Sequence, residues 1–302
     1  SDVCSSDLAN TMNTPSQSLA TAAAALPPNG FPASVNLMLN LGHAIDHMFL
    51  LIFATAVSAI ALEFGFKNWT DLMPYSVGAF ALFGLGALPA GRLGDLWGRR
   101  SMMVVFFVGM GVSAMLVALT QNHWQLAAAL TLMGAFAAIY HPVGIPMLVQ
   151  NVPNPGAVIG LNGLVGNLGI ACAAVVTGFL VKWIGWRAAF AIPGVVSLVC
   201  GLIFALHCPR EAHAPAKGKG GKAAVSLTPQ MLMRAFTVMT AAAITSSLLF
   251  NFTTNGNAQL LAEGFRGVVE DPAMLGMLLG AIYAMASFAQ IIVGRLIDKM
   301  PF

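Results

Sequence analysis

Asp46 is the one acidic side chain set inside any long apolar stretch of the sequence, near the middle of Val35–Leu62. Placing a carboxylate at that depth in a hydrocarbon core costs about 2.5–3.5 kcal/mol on insertion scales, so such a group is by default functional. His43 lies three residues before it and His47 four beyond His43, which puts both imidazoles and the carboxylate on one helical face. Asn36 and Asn40 extend that stripe. A carboxylate beside an imidazole exchanges a proton near neutral pH, the chemistry that coupling to a proton gradient requires. The other reading is a structural ion pair or a buried hydrogen-bonded network between helices. The residue types do not assign the proton to any one of the three.

Further polar groups interrupt later apolar stretches. His141 stands in Tyr140-His141-Pro142, with Gly144 and Pro146 following. Pro142 removes a backbone donor and kinks its helix. His141 then either lines a cavity facing the first helix or satisfies carbonyls freed by the proline. Asn167 sits among Gly163, Gly166 and Gly169, a helical face of small residues suited to close packing, with Asn167 a candidate cavity-lining group. The run Asn251-Phe-Thr-Thr-Asn255-Gly-Asn257 is too polar to face lipid and is expected to unwind near the outer mouth of its helix.

The elements that position these groups follow from composition. Of 302 residues, 58% are hydrophobic and 8% charged, and the mean hydropathy is +0.79. A soluble domain carries about 25% charged residues. Lipid is therefore the solvent for most of this chain. Eight apolar segments are delimited by charged or turn-forming neighbours: Val35–Leu62, Leu72–Ala90, Met102–Thr120, Trp124–Val149, Val158–Val181, Trp186–His207, Met231–Asn255 and Ala273–Val293. Each is long enough to span, and strand alternation is absent, so the expected fold is an all-α membrane protein.

Basic residues orient it. Alternating the spans puts Arg92, Arg99, Arg100, Arg210, Lys217, Lys219, Lys222, Arg234, Arg295 and Lys299 on one side, against Lys67, Lys182, Arg187 and Arg266 on the other. The first side, with the N-terminus, is expected to be cytoplasmic. Four cysteines, Cys4, Cys172, Cys200 and Cys208, show no paired spacing, so no disulfide framework or metal motif is implied. No cofactor, metal or nucleic-acid partner is expected.

Residues 1–34, rich in Ser, Ala, Pro and Asn, are expected to be a disordered tail whose first eleven residues read as an artefact. A flexible basic connector is expected over 208–230. Six spans (35–207) precede it and two (231–302) follow, an asymmetry that predicts a truncated chain.

An internal repeat ties the two parts together. Gly91-Arg-Leu-Gly-Asp95-Leu-Trp-Gly98-Arg99-Arg100 follows the second span, and Gly294-Arg-Leu-Ile-Asp298-Lys299 follows the eighth, 294 − 91 = 203 positions later. Parallel repeats of this kind build transporters that rock about a central site. On these residues the chain resembles the major facilitator superfamily, whose signature loop Gly91–Arg100 matches throughout.

The resemblance implies a major-facilitator-type helical bundle, here a complete N-terminal six-helix half and the first two helices of the second half. It also implies that Gly91, Asp95, Gly98, Arg99 and Arg100, with Gly294 and Asp298 in the second copy, form a cytoplasmic gate. Asp95 is expected to accept from Arg99 or Arg100, or to sit at a helix N-terminus. The histidine and carboxylate of the first helix, Gly134 with Tyr140-His141-Pro142, and Gly163-x-x-Gly166-Asn167-Leu-Gly169 are similar to the fosmidomycin-resistance-type drug exporters. Two departures weigh against antiport. The superfamily's helix-four arginine is apolar here, near Leu130, and the Gly-Pro of antiporters reads Ala173-Ala174.

The function expected is proton-coupled movement of a small molecule by alternating access, leaning to drug or metabolite efflux. Asp46, His43, His47, Asn40, His141 and Asn167 would form its cavity, in a monomer in the bacterial inner (plasma) membrane. The alternatives are a metabolite uniporter or symporter, and a non-transporting sensor or assembly protein. No H-E-x-x-H or G-x-S-x-G constellation supports an intramembrane enzyme.

Overall fold

The computed structural model describes residues 31–210 and 228–299, and every regular element among them is helical. Residues 1–30 of the expected tail, and most of the connector expected over 208–230, lie outside the described residues, while Ala33 and Ser34 at the end of that tail already belong to the first helix. Eight helical stretches are long and apolar enough to cross a membrane: Ala33–Glu63, Trp69–Trp97, Arg99–Ala118, His123–Leu148, Pro155–Trp183, Trp186–His207, Pro229–Gly264 and Pro272–Ile297. They coincide one for one with the segments read from hydropathy.

In chain order the α-helices are α1 (Ala33–Glu63), α2 (Val77–Trp97), α3 (Arg99–Ala118), α4 (His123–Ala137), α5 (Tyr140–Leu148), α6 (Pro155–Trp183), α7 (Trp186–His207), α8 (Pro229–Gly264), α9 (Pro272–Ser287) and α10 (Ala289–Ile297). The fourth span is thus two helices, α4 and α5. Pro142 has no N–H to give the carbonyl of Ala138, and the helix breaks at Ala138–Ile139. The eighth span breaks likewise at Phe288, between α9 and α10.

Helices α1, α3, α4, α5 and α7 share one core, in which Phe49, Phe106, Phe107, Tyr140, Phe190 and Phe204 are buried. A second cluster, Leu51, Ala54, Ile170, Ala173, Ala174 and Leu279, joins α1 and α6 to α9. Both residues of the Ala173-Ala174 departure are buried there. Apolar side chains such as Leu85, Leu88, Leu202 and Leu206 are exposed on the outside of the described helices.

Small residues allow close approach along α6. A Cβ at Gly156 would lie 2.6 Å from the Gly294 carbonyl oxygen, one at Gly160 3.0 Å from Gly294 Cα, and one at Gly178 2.4 Å from the Pro272 carbonyl oxygen. The two ends of α6 therefore run backbone to backbone against α10 and α9, while Gly169 in its middle meets the backbone of α1 at Ala44. Small residues are how helices gain van der Waals contact in lipid, where burial of apolar surface drives nothing.

One expectation about the backbone is corrected. The stretch Asn251–Asn257 does not unwind; α8 continues through it to Gly264. Its polar side chains turn back on their own helix instead. Asn251 Nδ2 donates to Ser247 O (2.9 Å), Thr253 Oγ1 to Leu249 O (2.8 Å) and Asn255 Nδ2 to Asn251 O (3.0 Å), while Asn257 Nδ2 reaches Tyr283 Oη (3.1 Å). Donors satisfied in this way need no broken backbone, although Asn255 Oδ1 is buried without a partner.

Candidate functional site

The middle of α1 presents His43, Asp46 and His47 toward α5 and α6. His43 is fixed first. Its Nδ1 lies 2.8 Å from the backbone carbonyl of Asn162 on α6. A carbonyl only accepts, so Nδ1 carries the hydrogen and Nε2 is left as the lone pair of the neutral ring. The ring stacks on Tyr140, with centroids 4.8 Å apart, and its Nε2 is 3.1 Å from His47 Nε2. Gly166 makes this placement possible, because a Cβ there would stand 2.6 Å from His43 Cε1.

A buried network braces the group from the side. Asn162 Nδ2 donates to Asn40 Oδ1 (3.0 Å) and to Tyr140 Oη (2.8 Å), and Tyr140 Oη donates to the Leu39 carbonyl (2.9 Å). Asn162 and Tyr140 are therefore site residues that the sequence reading did not assign. Asn162 is almost fully buried, yet no local pattern marks it, since its partners lie 119 and 122 residues earlier. Tyr140 was within the quoted Tyr-His-Pro motif, but only its contacts give it a role.

His141, placed by the break before α5, turns toward α1. Its Nδ1 is 3.6 Å from Asp46 Oδ2, and its ring lies 5.1 Å from that of His43 and 5.7 Å from that of His47. Of the two readings for His141, the structure takes the one that faces the first helix. Asp46 is fully buried, and neither of its oxygens accepts a hydrogen bond; His47 Nδ1 is likewise buried without one. Orphaned buried polar atoms are rare in folded proteins, and each calls for a cause.

These groups border a cavity of about 500 Å³ between α1, α2, α5, α6 and α8. His47 and His141 line it, with Phe83, Asn167, Ser247 and Asn251 around them. Asn167 is thus on the wall, apart from the hydrogen-bonded cluster. A smaller cavity, about 210 Å³, lies nearer the opposite end and is lined by Thr55, Ser58, Gln259 and Glu270. Leu130 is buried in apolar surroundings.

The repeated loops occupy the side rich in arginine and lysine. Gly98 has φ +89°, a left-handed conformation that lets α2 end at Trp97 and α3 begin at Arg99 with one residue between them. Arg100 donates through Nε to the Cys208 carbonyl (2.8 Å) and through its guanidinium to that of Ala205. It caps the C-terminus of α7, where a cation is favoured, and the expected bond from Arg100 to Asp95 is not made. In the second copy, Asp298 accepts from the backbone N–H groups of Gly156 (2.8 Å) and Ala157 (2.7 Å). Asp298 thus sits at the N-terminus of α6, where an anion is favoured.

At the opposite end, Ser58 Oγ donates to Gln259 Oε1 (2.8 Å) and Gln259 Nε2 to the Ala54 carbonyl (3.1 Å), tying α8 to α1. Lys182 pairs with Asp271 between α6 and α9, and the ammonium holds the Asp271 carboxyl below the usual carboxylate range.

Spanning helices with repeated Gly-x-Leu-x-Asp loops at one side and a polar cavity between them are the arrangement of a membrane transporter. The chain belongs to the Major Facilitator Superfamily, whose family model matches residues 39–302. This is a family of transporters, not of enzymes. Among named relatives, it is similar to the probable actinorhodin transporter of Streptomyces coelicolor, 32% identical over 152 residues, covering 48% of this chain and 26% of that protein. It is 29% identical over 226 residues to the multidrug resistance protein MdtG of Dickeya zeae, covering 70% of this chain and 52% of that protein. With the cis,cis-muconate transport protein of Acinetobacter baylyi it shares 26% identity over 187 residues, 56% of this chain and 45% of that one. The chain thus spans about half or less of the length of these relatives. Its fold matches an inward-facing, occupied structure of a bacterial homolog of the human lysosomal transporter Spinster, with TM-score 0.66 and 17% identity over 88% of this chain and 61% of that one.

Proposed function

We propose that this protein moves a small molecule across the bacterial inner membrane by alternating access, coupled to proton movement at Asp46, in the direction of efflux. One observation carries the coupling: a fully buried carboxylate with no hydrogen-bond donor sits beside His141, which opens on the cavity. An uncompensated charge there costs several kcal/mol; a proton or a cationic group on Asp46 removes that cost. Occupancy of Asp46 is then linked to whatever fills the cavity next to it.

The gate reading is supported by geometry on the side rich in arginine, which we take as cytoplasmic. Asp298 holds α6 against α10 through two backbone N–H groups. A six-helix unit over 35–207 and the start of a second unit over 231–302 would rock about the α6 seam. Efflux is favoured by the two drug- or antibiotic-related transporters among the relatives. Uptake of an organic acid is the second reading, because the muconate transport protein is also similar.

The test uses the full chain reconstituted in vesicles with an imposed pH gradient and a fluorescent lipophilic dye. Parent protein should drive gradient-dependent dye movement, and Asp46→Asn should abolish the gradient dependence. Full gradient-driven transport by Asp46→Asn would remove Asp46 from the coupling step. Movement of cis,cis-muconate but not of dye would favour the second reading.

A further inference from the structure

We infer that His43, His47 and His141 form a binding site for one divalent transition-metal ion of the zinc type, opening on the cavity. The ligand atoms of the three imidazoles lie within 4.8 Å of one another. His43 and His47 are an i, i+4 pair on α1, and their Nε2 atoms are 3.1 Å apart. Two imidazole nitrogens bound at about 2.0–2.1 Å to a tetrahedral zinc stand roughly 3.3 Å apart. The α1 pair already has that spacing. His141 sits on the short helix α5 after the helix break at Ala138–Ile139, and its side chain is 38% exposed on the cavity, so its ring is free to turn and complete the set.

The surroundings carry the inference further than the three rings alone. Metal-bound histidines give their other ring N–H to a carbonyl or carboxylate, which fixes the tautomer. His43 does this with the Asn162 carbonyl at 2.8 Å, leaving Nε2 as the donor atom aimed at the site. His141 Nδ1 faces the Asp46 carboxylate at 3.6 Å, which leaves its Nε2 for the ion. Asp46 also supplies negative charge beside a dication, in a place where the protein offers it no hydrogen-bond donor.

Without an ion, the 3.1 Å contact requires His47 to donate from Nε2 to the Nε2 lone pair of His43. With an ion, both Nε2 lone pairs point at the cation. Three protein ligands with the fourth position open to the cavity is the arrangement of exchangeable rather than structural metal sites. The fourth ligand is then a water or a donor atom of the solute in the cavity. The site stands whether or not the chain transports the dye used above, because its test reads binding alone.

The experiment titrates Co²⁺ into the purified full chain in nanodiscs and follows its visible absorption. The expected result is one Co²⁺ per chain with the intense bands of four-coordinate cobalt, displaced by Zn²⁺. His47→Ala and His141→Ala should each weaken binding at least tenfold, and Asp46→Asn about 10–100-fold as an outer partner, while His207→Ala at the exposed end of α7 should leave it unchanged. A second measurement needs no variant: Zn²⁺ should protect His47 and His141, which line the cavity, from diethyl pyrocarbonate, read by mass spectrometry, and leave His123 and His207 reactive. Only weak six-coordinate cobalt bands, binding that survives loss of both His47 and His141, or equal modification with and without Zn²⁺ would overturn the site. Metal binding without gradient-driven transport would support it while removing the transport reading, and the reverse outcome would do the opposite.

Discussion

Gly166→Ala puts the tightest contact of the site to the test. A methyl carbon at this position would lie 2.6, 2.7 and 2.8 Å from Cε1, Nδ1 and Nε2 of His43. Carbon contacts are comfortable at about 3.5–4.0 Å, so the ring must retreat by roughly 0.8 Å or more. His43 has nowhere easy to go, being stacked on Tyr140 and bonded to the Asn162 carbonyl and to His47. Moving it lengthens the 2.8 Å bond beyond the range of a hydrogen bond.

Overpacking costs about 1–3 kcal/mol, and the lost bond about 0.5–1.5 kcal/mol net. The helix gains back about 0.8–1 kcal/mol from Ala over Gly. That gain is independent of His43 and cancels in a double-mutant cycle. The assay is reversible unfolding by SDS in mixed micelles for the parent, Gly166→Ala, His43→Ala and the double variant. Gly166→Ala should destabilise the parent by roughly 1–3 kcal/mol and be neutral or stabilising where His43 is Ala. A coupling energy within about 0.5 kcal/mol of zero would show that the ring is not held as described, and the reasoning fails.

Two further outcomes follow from the same contacts. Asp298→Ala removes two charge-assisted bonds from an exposed helix N-terminus, worth about 1 kcal/mol, and so should shift the balance between gate-closed and gate-open forms about fivefold. Spin labels at Asn154→Cys and Lys299→Cys, in a version without native cysteines, should show a larger long-distance population in double electron–electron resonance; an unchanged distribution contradicts the latch. Tyr140→Phe keeps the ring under His43 but leaves one Asn162 N–H without its acceptor, a cost of about 1–3 kcal/mol. The same SDS unfolding measures it, and no loss of stability would mean that the network does not brace the site.

Much of the architecture was legible because lipid imposes a simple rule. A segment of twenty or so apolar residues must satisfy its own backbone and becomes a helix, so the eight segments matched the eight spanning stretches. The polar run in α8 was misread for a related reason. Asn251, Thr253 and Asn255 were counted as groups needing water, whereas each bonds a carbonyl of the preceding turn. The partners of Arg100, Ala205 and Cys208, are more than 100 residues away, where no local spacing points.

The sequence by itself determined that this chain lives in a membrane, which side of α1 is polar, and that Asp46 shares that side with two imidazoles, since helical periodicity and the lipid solvent settle all three locally. Only the tertiary structure decided what meets that side. The approach of α6 at Gly166, the turn of α5 after Ala138–Ile139 and the contacts of Asn162 and Tyr140 arise from packing between helices far apart in the chain. Such contacts depend on volume and direction across an interface, and no spacing along one strand of sequence encodes them.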